Sequence, residues 1–233
     1  MKKAVFNWSG GKDSALALYN VLNNGEYEIV SLLTTVNKEN GRSSMHGIPS
    51  HLLKKQAKSI GIPIYIIEML PNGELSSYDD VMNRSVQHFK SLGVEHFIFG
   101  DIFLHDVKSY REKKLNPEGI TVVEPLWDKT TAEVMSDFLS SGLKTIIVTT
   151  TADILDDSYI GKVIDEDFIK NIPVGVDLCG ENGEYHTFCY DGPIFREPID
   201  FKLGEPLSKT FPINLDDGST QDFTYWFANL LDT

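Results

Sequence analysis

Six residues near the start of the chain, Ser9-Gly10-Gly11-Lys12-Asp13-Ser14, gather the groups needed to hold an anion. Gly10 and Gly11 lack Cβ atoms, so a ligand oxygen can come close to backbone N–H groups. Lys12 adds a full positive charge, and Ser9 and Ser14 add hydroxyl donors. An apolar run precedes the six and a helical periodicity follows them, which places them where a strand opens into a helix. There the first turn has unpaired N–H groups and the positive end of the helix dipole. This is chemistry for phosphates. The spacing is neither Gly-x-x-x-x-Gly-Lys-Ser/Thr, because Asp13 follows Lys12, nor the dinucleotide pattern Gly-x-Gly-x-x-Gly. A plain turn with Asp13 or Ser14 as N-cap is the bland alternative.

A second cluster lies far along the chain, Gly180-Glu181-Asn182-Gly183-Glu184-Tyr185-His186-Thr187. Two carboxylates, an imidazole and a hydroxyl on a glycine-rich turn can bind an amine, orient ammonia or shuttle a proton. The competing reading is a hairpin turn with incidental polar residues. Cys179, His186 and Cys189 lack the fourth partner and the Cys-x-x-Cys spacing of a zinc site. His88, His96 and His105 are scattered and read as structural or exposed. Trp127 and Trp226 read as packing anchors, and the pairs Lys54-Lys55 and Lys113-Lys114 as solvated.

Short β-rich runs at 4–7, 29–35, 64–68, 96–100 and 121–124 alternate with helical stretches near 13–24, 49–59, 76–92, 104–114 and 131–141. Gly61, Gly93 and Gly142 stand where helix C-termini need a left-handed residue. Such alternation predicts right-handed βαβ units and a mostly parallel sheet covered on both faces. Past Leu143 the texture changes. A strand is expected at 146–151, a mostly helical stretch at 154–172, and short β runs at 184–190 and 221–227. The expected division is residues 1–142 for nucleotide binding and residues 143–233 as a smaller substrate-binding lobe, with the ligand cleft between them.

Bulk properties narrow the function classes. The 233 residues are 41% hydrophobic and 24% charged, with a net charge of −13. That acidic balance argues against a broad nucleic-acid surface, which needs clustered Lys and Arg. No apolar stretch approaches the ~18 residues of a membrane span, and polar residues 7–14 interrupt any signal-peptide core. Two cysteines are too few for a disulfide scaffold, so a cytoplasmic location is expected, with no membrane partner.

The first motif resembles the pyrophosphate-binding loop Ser-Gly-Gly-x-Asp-Ser of the N-type ATP pyrophosphatases, also called PP-loop or adenine nucleotide alpha hydrolase-like proteins. That resemblance implies an α/β, doubly wound five-stranded parallel sheet of order 3-2-1-4-5 (HUP-like). It also implies cleavage of ATP between the α and β phosphates. Segment 175–195, "GVDLCGENGEYHTFCYDGPIF", further resembles the Gly-Glu-Gly-Gly-Glu-Phe-His-Thr motif of the diphthine–ammonia ligase family. The likeness runs on through "FIFGDI" (97–102), Arg111 and "EPLWDKTTAEVM" (124–135). Asn182 and Tyr185 depart from that motif; asparagine accommodates positive φ and tyrosine keeps the ring.

The family resemblance implies an ATP-dependent ligase that makes an acyl-adenylate, releases pyrophosphate, and amidates the acyl group with ammonia in diphthamide biosynthesis. The acceptor carboxylate would be diphthine on elongation factor 2 in an archaeon or eukaryote. In a bacterium it would be a small metabolite such as a corrinoid side chain. ATP and Mg²⁺ are the implied cofactors, and a homo-oligomer stays open. Ser9, Gly10, Gly11, Lys12, Asp13 and Ser14 would cradle phosphates. Lys12 would meet charge on the leaving pyrophosphate, and Asp13 would hold Mg²⁺ or cap the helix. Thr34, with Thr35, ends the second strand beside the adenosine. His46 lies near the nucleotide by resemblance. Gly100 and Asp101 end the fourth strand, with Asp101 a second candidate for Mg²⁺ or an ammonium species. Arg111 would pair with the acyl phosphate or be solvated. Gly180, Glu181, Glu184, His186 and Thr187 would bind the acceptor, with Glu181, Glu184 and His186 managing the proton of ammonia. A tRNA-modifying relative is opposed by the acidic balance and the missing iron–sulfur cysteines. A non-catalytic nucleotide sensor leaves the second cluster unexplained.

Overall fold

The computed structural model describes residues 1–70, 75–214 and 219–233. The first sheet is built from β1 (Lys2–Asn7), β2 (Tyr27–Asn37), β3 (Ile64–Met69), β4 (His96–Ile98) and β5 (Thr121–Val123). All its pairings are parallel, and its order is β3-β2-β1-β4-β5. The central strand explains itself: Ala4, Val5 and Phe6 are fully buried, as a strand covered on both faces requires. Helices α1 (Lys12–Asn24), α2 (Ser50–Ile60), α3 (Leu75–Ser91), α4 (His105–Leu115) and α5 (Thr131–Ser141) supply the crossovers and the covering layers. Helix α5 starts with a reciprocal capping box between Thr130 and Glu133.

Two apolar clusters flank the sheet. One, including Val5, Leu33, Ile67, Phe89 and Phe97, packs under α3. The other includes Phe6, Leu16, Leu18, Leu52 and Phe138, and it runs without a break into Ile147, Phe188 and Cys189 of the second sheet. That sheet is antiparallel, order β7-β6-β9-β8, from β6 (Lys144–Thr151), β7 (Tyr185–Asp191), β8 (Lys202–Asn214) and β9 (Thr220–Leu231). The shared core is why β7 lies against the start of α1.

The expected helical stretch at 154–172 is a 3₁₀ turn, Asp157–Tyr159, and the six-residue α6, Glu166–Asn171. Asp156 and Asp165 bond local backbone amides, and Gly161 takes φ +84°, so the chain keeps turning. Strand β8 has no counterpart in the sequence expectations. Pro206 and Pro212 argue against a strand, yet β8 is an edge strand, where proline costs no ladder bond on its open side. No described helix is long and apolar enough to cross a membrane.

Candidate active site

Strand β1 lies between β2 and β4, so the chain leaves it in opposite directions to its two neighbours. A cleft opens at the carboxyl ends of strands at such a point. Here it encloses about 630 Å³. Ser9, Lys12, Asp13 and Ser14 line one wall, Thr34 and His46 another, and Gly100, Asp101 and Arg111 a third. Gly180, Glu181, His186 and Thr187 come from the second sheet and its leading loop. The two motifs, more than 160 residues apart in sequence, therefore meet.

Gly10 and Gly11 do not line the cleft, and their missing Cβ atoms make room for protein. Gly10 has φ +85°, and a Cβ on it would lie 2.9 Å from both Gln56 and Leu53. A Cβ on Gly11 would lie 2.5 Å from His46 Cε1 and 3.0 Å from the Thr187 carbonyl. Around this turn the Ser9 and Ser14 hydroxyls are 3.0 Å apart, and the Gly11 amide donates to Ser9 Oγ at 3.2 Å. Neither Asp13 nor Ser14 caps α1. The Lys12 amide instead donates to Thr187 Oγ1 at 2.8 Å, so β7 supplies the cap from outside the helix. The Asp13 and Ser14 amides of the first turn have no intrahelical acceptor, which leaves them for a ligand.

Behind the loop sits Gln56, fully buried, a residue the sequence reading passed over. It accepts from Trp8 Nε1 at 2.9 Å and donates to the carbonyls of Gly10 at 3.0 Å and Cys189 at 2.6 Å. Its signal is a lone amide inside the apolar stripe Leu52, Leu53, Ala57 of α2. Cys189 in turn donates its amide to Gly10 at 2.8 Å. The loop is thus clamped between α2 and β7.

Lys12 is buried, with Nζ 2.8 Å from each Asp13 carboxylate oxygen and bonded to the Cys179 carbonyl. Burial is the largest influence and would lower its pKa, but the charge of Asp13, then Tyr185 and Cys179, and the hydrogen bond to Asp13 together outweigh it and hold it raised. The ammonium is permanent. Glu181 lies opposite. Burial, then the nearby Asp13 charge, push its carboxyl up to about 7, with Lys12 pulling the other way.

Glu184 was expected beside it but does not line the cleft. It is buried, and its carboxylate accepts from the amides of Asp177 and Asn182 and from Asn182 Nδ2, each at 3.0 Å. It holds the loop's shape. Asn182 does not take positive φ; its side chain bonds Glu184 instead, which is why it replaces glycine without strain. His186 also departs from expectation. Burial, the neighbouring His46 and Lys12 drive its pKa down to about 3, so the ring is neutral and a poor proton acceptor at ordinary pH. His46 is lowered as well, chiefly by burial.

On the far wall Arg111 pairs with Asp101, and its guanidinium stacks 4.0 Å over Phe99. Glu124 lies beneath, 3.7 Å from Arg111 and 3.1 Å from Lys108, and desolvation raises its pKa. Arg111 is therefore tied down rather than solvated. Asp13 and Asp101, the candidate Mg²⁺ ligands, each already hold a cation, and no group of three or more metal-binding side chains occurs among the described residues. That fits Mg²⁺ arriving with phosphates, which supply most of its oxygens while the protein adds one or two carboxylates. His88, His96 and His105 pack on Tyr65, Tyr27 and Trp127, as structural histidines do.

Residues 1–121 match a family model described as the diphthamide synthase N-terminal domain, and residues 130–211 match the diphthamide synthase C-terminal domain. A human diphthine–ammonia ligase is 26% identical over 217 residues, covering 82% of this chain and 79% of that protein. A bovine one is 34% identical over 92 residues, 37% of this chain, and that match spans a third of the bovine protein's length (33%). Among solved structures, a U34-tRNA thiolase from Methanococcus maripaludis aligns with TM-score 0.37 and 18% identity over 58% of this chain and 55% of that one.

Proposed function

This chain belongs to the diphthamide synthase family, and from that premise we propose that it ligates ammonia to a carboxylate at the expense of ATP. The observation that carries the reading is the shared cleft: the glycine loop and the Glu181 loop form opposite walls around one buried ammonium, Lys12. The β and γ phosphates dock on the free amides of α1 and the hydroxyls of Ser9 and Ser14. Lys12 meets the charge that grows on the departing pyrophosphate. Asp13 or Asp101 would hold Mg²⁺ together with the phosphates, and the ion would supply stabilisation of that charge. The acceptor carboxylate attacks the α-phosphorus, pyrophosphate leaves, and an acyl-adenylate remains. Arg111 then faces its phosphate.

In the second half, the ammonia nitrogen bonds the acyl carbon and the carbon–oxygen bond to AMP breaks. One proton must leave the nitrogen. Glu181, titrating near 7, is matched to take it, whereas neutral His186 is not. The acceptor we propose is diphthine, the substrate in the relatives' names, with a small carboxylate metabolite as the choice where the host has no such modification.

Incubation with ATP, Mg²⁺, ammonium and a panel of carboxylates that includes diphthine-bearing elongation factor 2 tests the reading. AMP and pyrophosphate should appear one to one with the amide and only when the right carboxylate is present. The Lys12→Met variant should lose pyrophosphate release while keeping its fold. ATP binding without turnover on any carboxylate would instead mark a nucleotide sensor.

A further inference from the structure

His46 and His186 come from different sheets, yet their rings lie 4.9 Å apart, tilted by 43°, on the wall of the cleft. His46 Nδ1 is 2.8 Å from the Thr187 carbonyl. A carbonyl only accepts, so Nδ1 carries the hydrogen, and in the neutral ring Nε2 keeps its lone pair. His186 Nε2 is closed to solvent and makes no hydrogen bond among the described residues. A buried polar atom left so carries a desolvation penalty that a resident donor removes.

The geometry specifies the occupant. It is small, because it sits beside two adjacent rings at the loop. It donates hydrogen bonds, because an imidazole lone pair awaits it. It is uncharged when it reacts, because ammonium has no lone pair with which to attack an acyl carbon, and burial keeps both rings neutral. We propose that His46 and His186 form the binding subsite for neutral ammonia, a reading that rests on the ligase function above. Two N–H groups of ammonia bond the two ring nitrogens, and its lone pair stays free to attack. The rings select and orient the nucleophile, and Glu181 takes the proton after attack.

Binding can be read without turnover, by nitrogen-resolved NMR of ¹⁵N-histidine in the full chain titrated with ammonium chloride, with potassium chloride as the ionic control. The Nε2 signals of His46 and His186 should shift saturably with ammonium chloride and not with potassium chloride. Because the neutral form binds, apparent affinity for total ammonium should tighten about tenfold per pH unit below the ammonium pKa. In His186→Phe, which keeps a ring but no lone pair, the His46 response should weaken about tenfold, with circular dichroism confirming the fold. In turnover the same variant should raise KM for ammonia about tenfold and leave KM for ATP within about twofold. No saturable shift, an equal shift with potassium chloride, or unchanged affinity in His186→Phe overturns the subsite; a bound water alone gives the first of these. Absence of carboxylate-dependent pyrophosphate release sinks the ligase reading instead and leaves the NMR result standing.

Discussion

Replacing Glu181 with glutamine keeps the side chain's shape and removes its charge, and the two effects on the protein should oppose each other. Burial and the charges of Asp13, Asp177 and Asp101, set against Lys12, lift the Glu181 carboxyl from an ordinary 4.5 to about 7. Below pH 4.5 the group is protonated whether the chain is folded or not, so it costs nothing. Between 4.5 and 7 the unfolded chain releases a proton that the folded chain keeps, and stability falls as pH rises. Above 7 the full penalty stands, about 3 kcal/mol at pH 8 against about 1 kcal/mol or less at pH 5. Glutamine escapes it. For a chain of this length about 2–4 °C accompanies each kcal/mol, so Glu181→Gln should melt roughly 6–12 °C above the parent at pH 8 and nearly level with it at pH 5. In turnover the sign reverses. With rate plotted against free ammonia, the parent should rise to a plateau with a midpoint near the same pH 7, and the variant should lose that limb and about 10²–10⁴ in rate. Thermal unfolding at the two pH values and a pH–rate profile decide it. An equal change in melting at both pH values, or a limb that persists in the variant, refutes the charge argument.

Thr187→Val deletes the acceptor of the Lys12 amide at 2.8 Å and nothing of the side chain's volume, so calorimetry should show a loss of about 1–3 kcal/mol, with Thr187→Ser recovering most of it. Gln56→Leu strands the Trp8 indole N–H and a Gly10 carbonyl contact together; chemical denaturation should lose more than about 2 kcal/mol and ATP affinity should drop with it. Gly11→Ala puts a methyl 2.5 Å from His46 Cε1 and so pushes that ring off Thr187; NMR titration should find the His46 pKa climbing back toward 6.5 as burial is relieved.

The parallel sheet was legible because each of its strands is a short apolar run punctuated by a helix and a terminal glycine, a local pattern that tertiary packing did not override. That Ser9 to Ser14 join a strand to a helix was legible for the same reason: six consecutive residues carry the turn. What stayed hidden has no local signal. Glu181 and Glu184 are three residues apart on one turn and read alike, but one faces the cleft and the other turns inward onto three donors of its own loop. Only the fold of 177–184 tells them apart. Asp13 and Ser14 carry every mark of an N-cap, yet the cap is Thr187, from a strand the sequence places 175 residues away. Strand β8 went unmarked in a stretch rich in Gly, Pro and aromatics, because the sequence cannot say which strand lies at an edge.

That remote cap has a consequence for how the two sheets work together. A helix that capped itself would hold its first-turn amides in place regardless of what the second sheet did. Here Thr187 satisfies the Lys12 amide with its hydroxyl and the His46 ring with its carbonyl, while the preceding residue is His186 and the loop before it brings Glu181. One strand end thus sets both the first-turn amides of α1 and the side chains of the opposite cleft wall. Moving β7 by an ångström stretches a 2.8 Å bond on each side, so the glycine loop and the Glu181 wall assemble as a unit or not at all. The buried Gln56, bonding Gly10 and Cys189 through the same amide nitrogen, makes that unit stiff, and it does so from behind the loop, outside the cleft.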